Sequence, residues 1–135
     1  MIRVLIADDH PLVREGLRAG LSDEEDLVVC GCAVDGESAV ELCRELAPDI
    51  VLMDLTMPRV DGLAALRTIV AENPLMHVLV VSAYGDRAHV RAAMAAGACG
   101  YVLKGTPTEE LAEAMRAVRR GETVLSPPHL NELAR

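Results

Sequence analysis

Short apolar runs rich in β-branched residues alternate along the chain with segments whose apolar residues recur every three or four positions. The runs predict five strands, at residues 2–7, 26–34, 49–54, 77–83 and 100–104. The segments that follow them predict five amphipathic helices. Several of the strands are apolar throughout, which is typical of a parallel sheet covered by helices on both faces. The regular alternation therefore predicts a doubly wound α/β fold.

The helix boundaries carry their own sequence features. The last helix has the clearest ones: Thr106 as the N-cap, Pro107 in the first turn, Glu109 three residues after the cap, and Gly121 beyond the end. Three aspartates are expected to cap the second, third and fourth helices, namely Asp35, Asp61 and Asp86.

The periodic pattern ends at Gly121. We expect residues 1–121 to form one domain and residues 122–135 to begin a linker towards a C-terminal output domain that is not part of this chain. The Pro127-Pro128 pair is typical of such a linker, and the last residues resemble the start of a helix.

The amino-acid composition argues against several classes of function. The net charge of −8 disfavours direct contact with a nucleic-acid backbone. The sequence has neither a signal peptide nor an apolar stretch of membrane-spanning length, so we expect a cytoplasmic protein with no membrane partner.

The four cysteines lack zinc-site spacing and are expected to be free buried thiols. Because Phe and Trp are absent, the two tyrosines, Tyr84 and Tyr101, are candidates for a specific role.

Carboxylates end two of the predicted strands. Asp8 and Asp9 follow the first strand and Asp54 follows the third. In the flavodoxin-like strand order 2-1-3-4-5 these strands are neighbours, and ligands bind at the carboxyl ends of such sheets. Three carboxylates in one crevice would repel each other unless a cation joined them, and an all-oxygen cluster suits Mg²⁺. The sequence therefore predicts a magnesium site at this edge of the sheet.

Ser82 and Lys104 end the fourth and fifth strands at the same edge. A carboxylate beside a divalent cation can attack phosphorus and form an aspartyl phosphate. Asp54 is the candidate for this role, with Lys104 to neutralise a phosphoryl oxygen and Ser82 to donate a hydroxyl to another.

Four segments carry a family resemblance: ADDHP, LMDLTMPRVDG, VVSA and GYVLK resemble, in this order, the motifs of the receiver domains of bacterial two-component response regulators. The resemblance covers roughly residues 1–121 and implies a CheY-like fold of five strands and five helices. It also implies a sensor histidine kinase as phosphodonor and a homodimer on phosphorylation.

The resemblance implies a role for each residue of the site. Asp54 would be the phosphoacceptor, Asp9 a direct Mg²⁺ ligand, Asp8 a ligand through water, and Thr56 a ligand through its backbone carbonyl. Three residues would sense the phosphoryl group, namely Ser82, Tyr101 and Lys104.

The segments DHPLVREGL and RRGETVLSPPH are similar to the NarL/FixJ branch, whose members carry a helix-turn-helix DNA-binding domain after the receiver. The resemblance thus implies DNA binding only through that further domain. Gly105 stands where many receivers have proline, which leaves open the cis peptide bond that the family often has there. Ala83 is a small residue of the kind that leaves room for an inward tyrosine at position 101.

Other interpretations of these residues remain. Asp8 and Asp9 could cap the first helix ahead of Pro11. Ser82 could bond only to local backbone, Lys104 could be a solvated charge, and the four histidines show no ligand spacing. Tyr101 could have a solvent-exposed tip.

Two other classes of function also remain. A magnesium-dependent phosphatase of the haloacid dehalogenase type would need an aspartate at the position of Thr56. A receiver-like module that works without phosphate is the second alternative, and the complete acid set argues against it.

Overall fold

The computed structural model describes residues 1–57 and 61–134; residues 58–60, part of the turn predicted after Asp54, and residue 135 lie outside it. Within those residues the strands are β1 (Ile2–Ala7), β2 (Leu27–Ala33), β3 (Ile50–Met53), β4 (His77–Ser82), β5 (Gly100–Leu103) and β6 (Val124–Ser126). The helices are α1 (Pro11–Leu21), α2 (Gly36–Leu46), α3 (Gly62–Glu72), α4 (Arg87–Ala95), α5 (Thr108–Arg119) and α6 (Leu130–Leu133).

All strands are parallel, in the order β2-β1-β3-β4-β5-β6. The predicted order 2-1-3-4-5 is confirmed, but five strands and five helices were too few, because the described residues also contain β6 and α6. Ala7 pairs with Met53, the residues before Asp8 and Asp54. Ser82 pairs with Leu103, the residue before Lys104. The register therefore brings the ends of β1 and β3, and of β4 and β5, to one edge.

Side chains alternate between the two faces of the sheet, and each face has its own core. Leu5 and Val51 pack with residues of α2, α3 and α4 on one face. Val4 and Ile50 pack with residues of α1 and α5 on the other. All four are 0% exposed, and burying each contributes about 1.5–3 kcal/mol. This rigid double layer holds the strand ends in place. In the described part of the chain, no helix has the length and apolar character needed to cross a membrane.

The three predicted aspartate caps are confirmed. Asp35 accepts a hydrogen bond from the backbone N–H of Ser38 at 2.7 Å and forms a capping box with it. Asp61 accepts one from Ala64 at 2.7 Å. Asp86 accepts one from His89 at 3.3 Å. Each bond satisfies an N–H group that a helix start would otherwise leave unpaired.

The predicted cap of α5 is wrong. Thr106 does not accept a bond from the helix; its hydroxyl donates to the carbonyl of Leu103 at 2.8 Å and closes the turn after β5. The helix starts at Thr108, with Pro107 as its N-cap residue. Gly105, whose φ is +91°, makes this turn possible because the left-handed region favours glycine. Gly121, with a φ of +96°, ends the helix as predicted.

All four cysteines are free, as predicted, but the prediction that all four are buried is wrong. Cys43 is buried, whereas Cys30, Cys32 and Cys99 are partly exposed. Burial raises the pKa of the Cys43 thiol to about 12, so this side chain is an inert part of the core.

Residues 124–133, in the segment predicted to begin a linker, pack against the domain. β6 pairs with β5, which places Leu125 beside Tyr101, and α6 contacts α4. Leu125 is buried and Leu130 is 0% exposed within the core that includes Val90 of α4. The three-residue run of β6 is too short to show a period, which is why the sequence did not reveal it. We call residues 124–134 the docked tail.

Leu130→Ala is expected to loosen the docked tail. The substitution leaves a cavity between α6 and α4 and should lower the free energy of unfolding by about 2–3 kcal/mol, since a short helix can partly collapse onto the gap. Urea unfolding measures the loss, and hydrogen exchange should show faster exchange at the amides of β6. Leu75→Ala is the control, because Leu75 is 85% exposed. Equal stabilities of the two variants would contradict the role of Leu130.

Candidate functional site

The predicted meeting of the three carboxylates is confirmed. Asp8 and Asp54 are 3% and 2% exposed, and the backbone N–H of Asp54 donates to the carbonyl of Ala7 at 2.9 Å. One ligand atom from each of Asp8, Asp9, His10 and Asp54 lies within 4.8 Å of the others. We call these four residues the acidic cluster. Like charges this close raise each other's energy unless a cation is shared.

The alternative that Asp8 and Asp9 cap α1 is wrong. The N-cap residue is His10, and among the described residues no side chain makes a capping bond to this helix. Asp8 instead accepts a hydrogen bond from the backbone N–H of His10 at 2.8 Å, and its carbonyl accepts one from Arg14 at 2.8 Å. These bonds hold Asp8 in the loop between β1 and α1.

One carboxylate oxygen of the cluster lacks a hydrogen bond. Asp9 Oδ1 is buried and has no hydrogen-bond partner among residues 1–57 and 61–134, although it lies 3.2 Å from His10 Nδ1. A buried oxygen without a partner is costly, and a cation beside it would remove the cost. The acidic cluster therefore fits a hard divalent cation such as Mg²⁺.

His10 is a functional candidate that the sequence did not reveal. Its Nδ1 atom lies 2.8 Å from Asp8 Oδ1 and 3.8 Å from Asp54 Oδ2. The spacing of histidines along the chain gave no sign of this. The available indication was the position of His10 directly after two acids at a strand end.

Lys104 contacts the acidic cluster from the end of β5. Its Nζ atom lies 3.2 Å from Asp54 Oδ2 and 3.2 Å from Asp8 Oδ2, and the side chain is 21% exposed. Partial burial lowers its pKa, but the hydrogen bond and charge of Asp54 and the charge of Asp8 outweigh this, so the pKa is raised. The interpretation as a solvated surface charge is therefore wrong. The Lys104–Gly105 peptide bond is trans.

Thr56 holds one oxygen of Asp54. Its backbone N–H donates to Asp54 Oδ1 at 3.1 Å and its hydroxyl donates to the same atom at 3.0 Å. Because Thr56 occupies Oδ1 and Lys104 contacts Oδ2, the carboxylate has a fixed orientation. The predicted role of the Thr56 carbonyl stays a prediction.

Ser82 lies at the end of β4 and is 1% exposed. Its Oγ accepts a hydrogen bond from the backbone N–H of Tyr84 at 3.1 Å, which is the local bond that the alternative interpretation expected. As a hydroxyl it can still donate a hydrogen bond of its own.

Tyr101 points inward and is 0% exposed, so the interpretation with a solvent-exposed tip is wrong. Its hydroxyl donates a hydrogen bond to the backbone carbonyl of Tyr84, and burial raises its pKa. Tyr84 is 49% exposed and stacks on His89 of α4, with 4.6 Å between the ring centroids. Tyr101 thus connects β5 to the loop that precedes α4.

A doubly wound parallel sheet with an acidic cluster, a hydroxyl and a lysine at one edge defines a class of protein that handles phosphoryl groups. The family model described as "Response regulator receiver domain" matches residues 4–116. The chain therefore belongs to this family, and it is a receiver domain of two-component response regulators, a signalling module.

Its relatives are response regulators of the LuxR/NarL type. The chain is 43% identical over 134 residues to the response regulator GacA of Pseudomonas aeruginosa, covering 99% of this chain and 63% of GacA. A two-component response regulator of the LuxR family from Aurantimonas sp. SI85-9A1 superposes with a TM-score of 0.92 at 35% identity, over 99% of this chain and 95% of that one.

A structure of two RcsB dimers bound to two parallel DNAs superposes with a TM-score of 0.87 at 27% identity, over 98% of this chain and 67% of the RcsB chain. The chain spans between 53% and 63% of the length of the curated relatives it matches.

Proposed function

We propose that Asp54 accepts a phosphoryl group from a sensor histidine kinase and that the resulting change controls a DNA-binding output domain. The observation that carries this proposal is the setting of the Asp54 carboxylate. It is 2% exposed, held through one oxygen by Thr56 and approached at the other by Lys104, beside the carboxylates of Asp8 and Asp9. A buried carboxylate among like charges needs a functional reason.

The fixed carboxylate suits an in-line displacement. A carboxylate oxygen of Asp54 forms the bond to phosphorus while the bond from phosphorus to the donor histidine breaks, and its electron pair leaves with the imidazole. Asp9 and Asp54 are the direct ligands we propose for Mg²⁺, with Asp8 acting through water and Thr56 through its carbonyl. When bound, Mg²⁺ supplies positive charge to the phosphoryl oxygens. Lys104 neutralises a further oxygen, and Ser82 donates its hydroxyl to another.

The described contacts support a route for the signal from the site to the docked tail. A phosphoryl group carries about −1.5 to −2 charge in place of about −1, so it attracts Ser82 and Lys104. The loop after Ser82 carries Tyr84, whose carbonyl is held by Tyr101 and whose ring stacks on α4. α6 packs against α4, so a shift of α4 reaches the docked tail. Phosphorylation then raises the population of one of two arrangements.

The DNA-binding output domain is proposed from the names and lengths of the relatives. Several of them are named as transcriptional regulatory proteins, and they are longer than this chain. We propose that residues 122–135 lead to a helix-turn-helix domain, that DNA is contacted there, and that phosphorylation favours a homodimer. The net charge of −8 agrees with a receiver that does not itself hold DNA. We also propose a cytoplasmic location, where a sensor kinase and DNA would both be accessible.

The chemistry that we propose is limited to self-phosphorylation and self-dephosphorylation. A phosphatase acting on external substrates needs a general acid at position 56, and Thr56 instead donates both of its hydrogen bonds to Asp54.

A mass measurement tests the proposed function. The protein is incubated with Mg²⁺ and acetyl phosphate, with an EDTA sample as control, and the intact mass and the released phosphate are recorded. One added phosphoryl group that depends on Mg²⁺ is the expected result. Continuous release of phosphate without an adduct would indicate the phosphatase instead. An unmodified protein would indicate the phosphate-independent module.

Tyr84→Ala is expected to shorten the lifetime of the phosphorylated form. The ring of Tyr84 stacks on His89 of α4, and Tyr84 follows Ser82, the last residue of β4, by two positions. We expect its removal to open a path for water towards Asp54. We expect dephosphorylation to be about threefold faster, a change of about 0.7 kcal/mol in the barrier. The decay of the adduct mass over time measures the rate. Tyr84→Phe keeps the ring and serves as the matched control; equal half-lives of Tyr84→Ala and the parent would remove the idea.

A further inference from the structure

The backbone of Tyr84, in the loop between β4 and α4, bonds to two residues at the ends of strands. Its N–H group donates to Ser82 Oγ at 3.1 Å, and its carbonyl accepts a hydrogen bond from the Tyr101 hydroxyl. Ser82 is 1% exposed and Tyr101 is 0% exposed. The position of Tyr84 therefore determines the bonds of two buried hydroxyl groups.

The ring of His89, on α4, holds the side chain of Tyr84. The two rings are stacked, with 4.6 Å between their centroids and 12° between their planes. Stacked aromatic rings attract each other beyond the effect of the area that they bury. Because the Tyr84 side chain is about half exposed, we take this stack to be the contact that orients it.

Asp86 fixes the orientation of the His89 ring. Its Oδ1 atom lies 2.6 Å from His89 Nδ1, and its Oδ2 atom accepts a hydrogen bond from the backbone N–H of His89 at 3.3 Å. An ionised carboxylate has no proton to donate, so Nδ1 carries the hydrogen of the shorter bond. Asp86 is also the N-cap of α4, so the ring is tied to the start of this helix.

We propose that His89 is a positioning residue for phosphoryl transfer, which acts through Tyr84 on the hydroxyl of Ser82. The inference rests on the proposed function, in which Ser82 donates to a phosphoryl oxygen of phosphorylated Asp54. Without the stack, Tyr84 moves more freely, and its N–H group no longer fixes Ser82 Oγ. The phosphoryl group is then held less firmly, and the lifetime of the phosphorylated form becomes shorter.

The lifetimes of matched variants test this role. The protein is phosphorylated with Mg²⁺ and acetyl phosphate, the donor is removed, and the decay of the adduct mass is recorded. We expect the decay to be about threefold faster in His89→Ala, because an aromatic contact is lost. Arg91→Ala changes an exposed residue of the same helix and should decay like the parent.

His89→Phe separates positioning from helix stability. Phenylalanine keeps a ring for Tyr84 to stack on, so this variant should recover most of the half-life of the parent. Helix propensity predicts the opposite order, since alanine is the better helix former. Nuclear Overhauser contacts between the ring protons of Tyr84 and residue 89 should be present in the parent and in His89→Phe.

A double mutant tests the route through Tyr84. In a Tyr84→Ala background, His89→Ala should cause no further acceleration, because the ring on which it acts is already gone. An equal acceleration in that background would overturn the proposal, and so would a half-life of His89→Phe as short as that of His89→Ala.

The two proposals fail in different ways. If the parent gains a Mg²⁺-dependent phosphoryl group and His89→Ala keeps the half-life of the parent, only the role of His89 is refuted. If the parent gains no phosphoryl group, both the proposed function and this inference are refuted.

Discussion

Asp54→Asn is expected to abolish the phosphoryl adduct. The carboxamide keeps the size of the side chain, but it is neutral and lacks the nucleophilic oxygen that forms the bond to phosphorus. It also removes the charge that Lys104 contacts at 3.2 Å. Intact-mass measurement after incubation with Mg²⁺ and acetyl phosphate should show the unmodified mass alone.

The matched control is Asp61→Asn. Asp61 caps α3 a few residues further along the chain, and asparagine is an equally good cap, so this variant should gain the adduct like the parent. A urea unfolding midpoint for Asp54→Asn at or above that of the parent would exclude unfolding as the cause. An adduct that persists in Asp54→Asn would place the acceptor elsewhere, and fragment masses would then test Asp8 and Asp9.

The position of the acidic cluster was predictable because it depends on sheet topology. Parallel strands end at one edge, and once β1 and β3 are neighbours the residues after Ala7 and Met53 must come together. Only the order of the strands and the apolar runs are needed for this step. The capping aspartates were predictable for a similar reason, since the bond each one makes is local.

The parts that were missed depend on loop conformation or on contacts distant in sequence. His10 enters the cluster because its backbone is extended, with φ −91° and ψ 111°, where α1 begins. Thr106 fails as a cap because Gly105 turns the chain and directs its hydroxyl to Leu103. β6 gains its stability from pairing with β5 and from the burial of Leu125, and neither is visible in a three-residue run.

The role of Tyr101 was only partly predictable from the sequence. The absence of Phe and Trp drew attention to it, and Ala83 made an inward orientation plausible. Only the structure places its hydroxyl on the carbonyl of Tyr84, and so joins the strand that carries Lys104 to the loop before α4. Tyr101 is buried, and so is Leu125 of the docked tail, which pairs with it between β5 and β6.

Gly62→Ala is expected to damage both the fold and the site. A Cβ atom at this position would overlap the carbonyl oxygen of Asp54 and the Cα of Leu55, and would stand 2.8 Å from the carbonyl carbon of Leu55. These are backbone atoms, so no rotamer change relieves the overlap. Either the start of α3 or the backbone that carries Asp54 must move. We expect a loss of about 3 kcal/mol in the free energy of unfolding, as for severe overpacking.

The same displacement should slow phosphorylation. Misplacing a reacting group by about 1 Å can cost about a hundredfold in rate, so the rate of adduct formation at a fixed acetyl phosphate concentration should fall by at least tenfold. Because the loss of stability is incomplete, the rate is measured below the unfolding transition of the variant. A normal rate in a destabilised Gly62→Ala would show that α3 moves and Asp54 does not.

Gly16→Ala is the matched control, since it adds the same methyl group where nothing lies within 4 Å of the new Cβ. Gly16 is exposed in the middle of α1, and alanine there should stabilise the helix by about 0.5–1 kcal/mol. The two substitutions should therefore change the free energy of unfolding in opposite directions. If Gly62→Ala also stabilised the protein and left the rate unchanged, the close approach of Gly62 to Asp54 would not constrain the site.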